Sequence, residues 1–176
     1  MPDELEEIIQ VVYNHFSNSP ARNELLQVFQ DLVDIPILKI LSPGQTRWLS
    51  LKSAVDRYKV TIPALVPYCK EQLMKITSAK KRAPIERILH FIQHQLTVPY
   101  LEMLSYSLGE LTDFNTIFQA EASQLCALRK KVDGLIKTFA TNFMHGNYVV
   151  STSAQSINPI LANQYVTLEF ILVCFF

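Results

Sequence analysis

Residues 125–143 read LCALRKKVDGLIKTFATNF, and the spacing of apolar side chains in this stretch decides what kind of fold the chain can have. Leu125, Leu128, Val132, Leu135, Phe139 and Phe143 recur in steps of three and four, which puts them on one stripe of an α-helix. A strand would divide the same residues between two faces. The preceding stretch carries Leu101, Leu104, Leu108, Leu111 and Phe118 in a similar rhythm. Two such stripes in succession are what antiparallel bundle helices present to each other.

Working outward towards the N-terminus, the helical rhythm continues. Ile85, Ile88, Leu89, Ile92 and Leu96 form one stripe, after a polar loop expected over TSAKKRAP, Thr77–Pro84. Pro63 is expected to start a separate helix bearing Leu65, Tyr68, Cys69 and Leu73, because proline fits a first helical turn. Before it, Trp48, Leu51, Val55 and Tyr58 share one face of a helix that Thr46 can cap. Pro36 and Ser42–Gly44 bracket an irregular connection. Ser19 before Pro20 reads as the N-cap of a helix with Leu25, Leu26, Phe29 and Leu32 on one side, and Leu5, Ile8, Ile9, Val12 and Phe16 stripe the first helix. Towards the C-terminus the rhythm stops at Phe143, and GNYVVSTSAQSINPILANQ, Gly146–Gln164, reads as an Asn/Ser-rich loop.

Composition agrees with an all-α, irregular helical bundle. A chain of 176 residues with 49% hydrophobic content can bury one substantial core, and only four glycines argue against turn-rich β architectures. The acidic, striped N-terminus does not resemble a secretory signal. The closing YVTLEFILVCFF is apolar, yet shorter than a membrane span and interrupted by Glu169. Cys69, Cys126 and Cys174 are widely separated and form no CxxC pair, so neither a disulfide framework nor a zinc site is expected.

The net charge of zero hides an uneven distribution. Residues 1–34 hold seven acids and one base, residues 35–100 eleven bases and three acids, and the remainder four bases and six acids. A cationic middle can attract a polyanion to one face, although lysines on solvated helices produce the same count.

Three groups of segments, in this order, carry a resemblance: IIQVVYNHFSNSPARNELLQVFQ (Ile8–Gln30), then TRWLSLKSAVDR (Thr46–Arg57) followed by PALVPYCKEQ (Pro63–Gln72), then the run from Tyr100 to Met144 that includes FNTIFQAE. Together they resemble the transposase-derived proteins of the hAT superfamily over nearly the whole chain. In that family an RNase H-like core holds an Asp/Asp/Glu metal site, with a large helical domain inserted before the final Glu. The resemblance implies that residues 1–144 are this insertion domain and that residues 145–176 are a loop and truncated apolar tail, the catalytic core being largely absent. It implies a nuclear protein that is not an enzyme and needs no cofactor, small-molecule substrate or membrane. Its partners would be DNA, other proteins or homologous transposase-derived chains. A DNA-cutting remnant that completes its site with another chain is the alternative, and a truncated product without independent function is a third.

Candidate site residues follow from both readings. The family tryptophan at the TRW motif is similar to a residue that stacks on a flipped base, which suits Trp48, with Arg47 contacting phosphate beside it. The plainer alternative is a core tryptophan on an amphipathic helix. Lys80, Lys81 and Arg82 form a basic patch that can touch phosphate or merely be solvated. His90 and His94 stand at i, i+4, a spacing compatible with zinc, but without the Glu of a metalloprotease motif or an evident third ligand. No catalytic or metal-ligating set is assigned.

Overall fold

The computed structural model describes residues 2–43, 48–118, 125–161, 163, 165 and 166, with the side chains of all of these except residues 2–6, 48, 49, 117, 118 and 125–127. The fold is all-α. Seven α-helices are formed among these residues: α1 (Pro2–Ser17), α2 (Pro20–Leu32), α3 (Trp48–Lys75), α4 (Ala79–Gln93), α5 (Thr97–Phe118), α6 (Leu125–Phe143) and α7 (Gly146–Ser151), followed by a 3-10 turn at Ala154–Ser156. An isolated antiparallel bridge joins Met144 to Tyr165. None of the described helices is long and apolar enough to cross a membrane. The chain divides into two compact units, Met1–Leu108 and Gly109–Phe176.

In the first unit α3 is the central element, packed against α2 and α4. Its inner face supplies Ala54, Val55, Tyr58, Ala64, Leu65, Tyr68 and Cys69 to one core that also takes Ile8, Ile9, Val12 and Phe16 from α1 and Ile85, Ile88, Phe91 and Ile92 from α4. Burying an aliphatic or aromatic side chain of this size contributes about 1.5–3 kcal/mol. That gain explains why α3 runs unbroken through Pro63 and Pro67. Each proline lacks an N–H and crowds the preceding turn, but Pro63 is exposed and Pro67 half-buried, while the residues beside them are locked inward. The helix start expected at Pro63 is therefore replaced by one 28-residue helix.

Polar side chains close the turns of this unit. Arg22 Nη1 donates to His15 O at 2.8 Å and Asn23 Nδ2 to Phe16 O at 2.8 Å, serving carbonyls in the last turn of α1. Ser19 holds the N-cap position of α2 with extended backbone, without a side-chain cap. After α2, Gln30 grips the connection from both sides: its Nε2 donates to Leu38 O at 2.9 Å, and Leu38 N donates to its Oε1 at 3.3 Å. Gln30 is fully buried, whereas Leu32, expected on the apolar side, is 71% exposed. The paired amide makes a glutamine acceptable in the interior, and α2 ends at Leu32 before that side chain can reach the core.

The segment expected as the TSAKKRAP loop is mostly helix, because α4 begins at Ala79. In the second unit, α6 packs on α7 and on the 3-10 turn. Among the described residues its buried cluster is small: Ala140, Met144 and Val149, with Phe143, Tyr148 and Ile157 packed against them; Ala154 is also buried. The stretch read as an Asn/Ser-rich loop thus contains a short helix and a 3-10 turn. Side chains replace a longer ladder there: Asn158 N donates to Tyr148 Oη at 3.1 Å and Tyr165 Oη to Pro159 O at 2.6 Å. The apolar stretch 167–176 lies outside the described residues.

Candidate nucleic-acid interface

Arg47 and the side chain of Trp48 lie outside the described residues. The backbone of Trp48 opens α3, and of the residues that share its register, Val55 and Tyr58 are buried and Leu51 is half-buried. Lys80, Lys81 and Arg82 lie at the other end of α3, because Arg82 Nη1 donates to Leu73 O at 2.8 Å and to Ile76 O at 3.2 Å. A helix of this length spans about 40 Å. The Trp48 backbone and the Lys80–Arg82 group therefore stand at opposite ends of α3.

Within the Lys80–Arg82 group the three cations differ. Arg82 clamps the last carbonyls of α3 and pairs with Glu86 at 3.1 Å, a structural use that sequence reasoning missed because it took this segment for a loop. Lys80 and Lys81 are exposed and have no ion-pair partner among the described residues. They occupy the first turn of α4, whose N-cap Ser78 makes no side-chain cap. Two ammonium groups thus add to the positive end of a helix dipole.

Ion pairs engage five of the cations of residues 35–100, but only Glu7 and Glu102 come from outside the segment, so most of its cationic excess remains. Lys52 pairs with Asp56 at 2.6 Å, and Lys59 with Glu102, Lys75 with Glu71 and Arg87 with Glu7. Arg57 donates to Lys39 O at 2.9 Å. Asp56 also accepts from Ser105. Partial burial pushes the Asp56 carboxyl up, but the hydrogen bonds from Lys52 and Ser105 and the charges of Lys52 and Lys59 outweigh it and hold the group below its usual value. Lys39, Lys70, Lys80 and Lys81 stand out as exposed cations outside these pairs.

The histidine pair is separated by the end of its helix. His90 is exposed on α4, whereas His94 is the extended C-cap and its Nδ1 accepts from Leu96 N at 3.2 Å. Among the described residues no three His, Cys, Asp or Glu are placed to hold a metal ion. Cys69 is buried, and that burial pushes its thiol up to about 12.

A polar node that the sequence did not advertise joins α1 to α3. His15 Nε2 and Tyr68 Oη are 2.7 Å apart, with Phe16 and Phe29 rings against Tyr68. Burial, then the nearby Arg22 charge, lowers the His15 pKa to about 4, so at neutral pH the ring is uncharged. Burial raises that of Tyr68 despite Arg22. Beside this node a cavity of about 460 Å³ is bounded by Tyr13, Phe16, Asn23, Glu24, Lys39 and Ile40. Only a histidine with a tyrosine 53 residues later could have signalled the node, and nothing in the periodicity links them.

With this geometry in place, comparison with protein-family models, curated proteins and solved structures finds no match to the chain.

Proposed function

We propose that the chain is a non-catalytic helical module of hAT-transposase descent, acting in the nucleus through protein contacts and through weak phosphate contact with nucleic acid. The observation that carries the nucleic-acid part is the pair of exposed lysines, Lys80 and Lys81, on the uncapped first turn of α4. Two mobile ammonium groups at a helix N-terminus suit a phosphate and do not read bases. Descent and nuclear setting rest on the resemblance of the TRW and FNTIFQAE segments. The non-catalytic reading is supported by the use of Asp56, Glu71, Glu86, Glu102 and Glu7 in ion pairs.

Binding of this kind is weak, indifferent to sequence and steep in salt, with Kd of roughly 10⁻⁴–10⁻⁶ M at physiological ionic strength. The test is fluorescence anisotropy of labelled duplex DNA from about 50 to 200 mM salt. Replacing Lys80 and Lys81 together by alanine is expected to reduce the slope of log K against log salt by about 2. Absence of binding by the unmodified chain at low salt, or an unchanged slope in the double variant, overturns the nucleic-acid reading. Metal-dependent nicking that is lost on replacing an acid of this chain overturns the non-catalytic one.

A further inference from the structure

We infer that the apolar cleft of the second unit is a docking groove for an acidic, amphipathic peptide segment of a partner protein. The cleft has a volume of about 500 Å³ and is lined by Ile136, Phe139, Phe143, Met144, Ile157 and Tyr165 among others. Its floor is the C-terminal half of α6, where Ile136, Phe139, Ala140 and Phe143 fall at i, i+3, i+4 and i+7 on one face. Ile136 and Tyr165 are each 37% exposed, and the nearby Ile160 and Leu161 are 85% and 41% exposed. Among the described residues the buried cluster of this unit is Ala140, Met144 and Val149, and it leaves this apolar surface uncovered.

Charge identifies the kind of segment. Helix α6 carries Arg129, Lys130, Lys131 and Lys137 against the single acid Asp133. Arg129 and Lys130 are exposed, and none of the four cations is ion-paired among the described residues. Arg129 precedes Ile136 by seven residues, so it lies on the same face of α6, roughly 10 Å along the axis from the start of the cleft. A helical ligand that seats an apolar side chain in the cleft therefore brings a carboxylate to Arg129 if that acid stands two turns away in its own sequence. Duplex DNA would satisfy the four cations, but its bases are already stacked on each other and its outer surface is charged, so it gains little from an aliphatic and aromatic trough. The cleft and the cations together favour an acidic apolar helix, the groove-binding mode of peptide recognition.

The test uses the full chain and a labelled 15-residue amphipathic peptide with leucine and phenylalanine anchors and glutamates two turns from them. A second peptide has lysine in place of glutamate, and a duplex DNA of similar charge serves as the competing ligand. Of the two peptides only the acidic one is expected to bind, with affinity lowered tenfold or more by Ile136→Glu and by Arg129→Glu, both exposed positions where the helical circular dichroism stays unchanged, while any weak DNA binding is unaffected by Ile136→Glu. Should Ile136→Glu unfold the unit, Arg129→Glu with charge-swapped peptide decides: restored binding supports the groove. No binding of the acidic peptide, or equal binding of both peptides, overturns the proposal. So does DNA binding that depends on Arg129 and ignores Ile136. Peptide binding that appears only after removal of residues 167–176 would assign the cleft to the chain's own tail. Concentration-dependent dimers abolished by Ile136→Glu would assign it to a second copy, and each of these results also overturns the proposal. The lysine-to-alanine changes at residues 80 and 81 are expected to leave peptide affinity untouched, which keeps this result separate from the nucleic-acid reading.

Discussion

The two units of this chain use the same sequence device with opposite results. In residues 1–108, apolar stripes from five helices meet and nineteen described residues become one buried cluster. In residues 109–176, the stripe of α6 is as regular as any, yet its Leu128 and the neighbouring Ile136 stay 36% and 37% exposed, and the buried cluster contains three of the described residues. Periodicity states which face of a helix is apolar. It does not state how many neighbours arrive to cover that face, and stability depends on the covering.

The largest expected effect tests this difference directly. Leu65→Ala removes a side chain with no exposure at the centre of the first unit and should cost about 2–5 kcal/mol, the range for a large-to-small change in a tight core. Ile136→Ala removes a similar volume from a half-open position and should cost less than about 1 kcal/mol. Urea denaturation followed by helical circular dichroism measures both. Equal losses would mean that the second unit is covered as completely as the first, and the contrast would collapse.

Much of the fold was legible because of that stripe rule, and the failures have identifiable causes. The all-α class, the core residues Ile8, Ile9, Val12, Phe16, Val55, Tyr58 and Ile85, and the end of the long periodic run at Phe143 follow from spacing alone. Pro63 misled because local proline chemistry predicts a helix start, while Leu65, Tyr68 and Cys69 on the buried side hold the helix together through it. Lys80–Arg82 misled because a charged run reads as solvated loop, although Arg82 serves the end of α3. Gln30 was invisible because nothing in a one-dimensional pattern shows that a glutamine finds both partners in Leu38. Of the candidate site residues, Lys80 and Lys81 are exposed, and the length of α3 lies between them and the Trp48 backbone, a separation that spacing in the sequence does not show.

The next effect in size depends on pH and belongs to the first unit. His15 is half-buried against Tyr68 with its pKa lowered from 6.5 to about 4. Between those values the unfolded chain binds a proton that the folded chain does not, so stability rises with pH across this window and is lost as pH falls from 6.5 towards 4. The full linkage is on the order of 3 kcal/mol, reduced by the solvent that reaches the ring. His15→Gln should flatten the change in urea midpoint between pH 6.5 and 4.5. An equally steep loss in the variant would assign the acid sensitivity to the carboxylate pairs, such as Asp56 with Lys52.

A smaller effect concerns the grip on the α2–α3 connection. Gln30→Ala leaves the N–H and C=O of Leu38 without their partner, and an unsatisfied buried polar group costs about 1–3 kcal/mol. Amide exchange at Leu38 should accelerate in this variant, while amides of α6 and α7 keep their wild-type rates. Faster exchange in the second unit as well would show that the two units unfold as one cooperative block, which removes the basis for contrasting them.

The smallest effect carries the most specific sign, and it comes from deleting one hydroxyl in each unit. Tyr58 is 2% exposed and its Oη has no hydrogen-bond partner among the described residues; burial pushes its pKa upward, so the group is a neutral, unsatisfied phenol. Tyr58→Phe keeps the ring and removes the unpaired oxygen, which should leave the first unit unchanged or more stable by up to about 1 kcal/mol. Tyr165 in the second unit is the opposite case, since its Oη donates to Pro159 O at 2.6 Å while the residue is 37% exposed. Tyr165→Phe forfeits that bond, but water can replace the partner at an open position, so the loss should stay within roughly 0.5–1 kcal/mol. The buried tyrosine thus gains, or holds, on losing its hydroxyl, and the exposed one loses a little. Thermal melting of the two variants reads the difference in sign. A clear destabilisation by Tyr58→Phe would mean that a partner for this hydroxyl exists in solution, and a water held between α3 and its neighbours is the first candidate to look for.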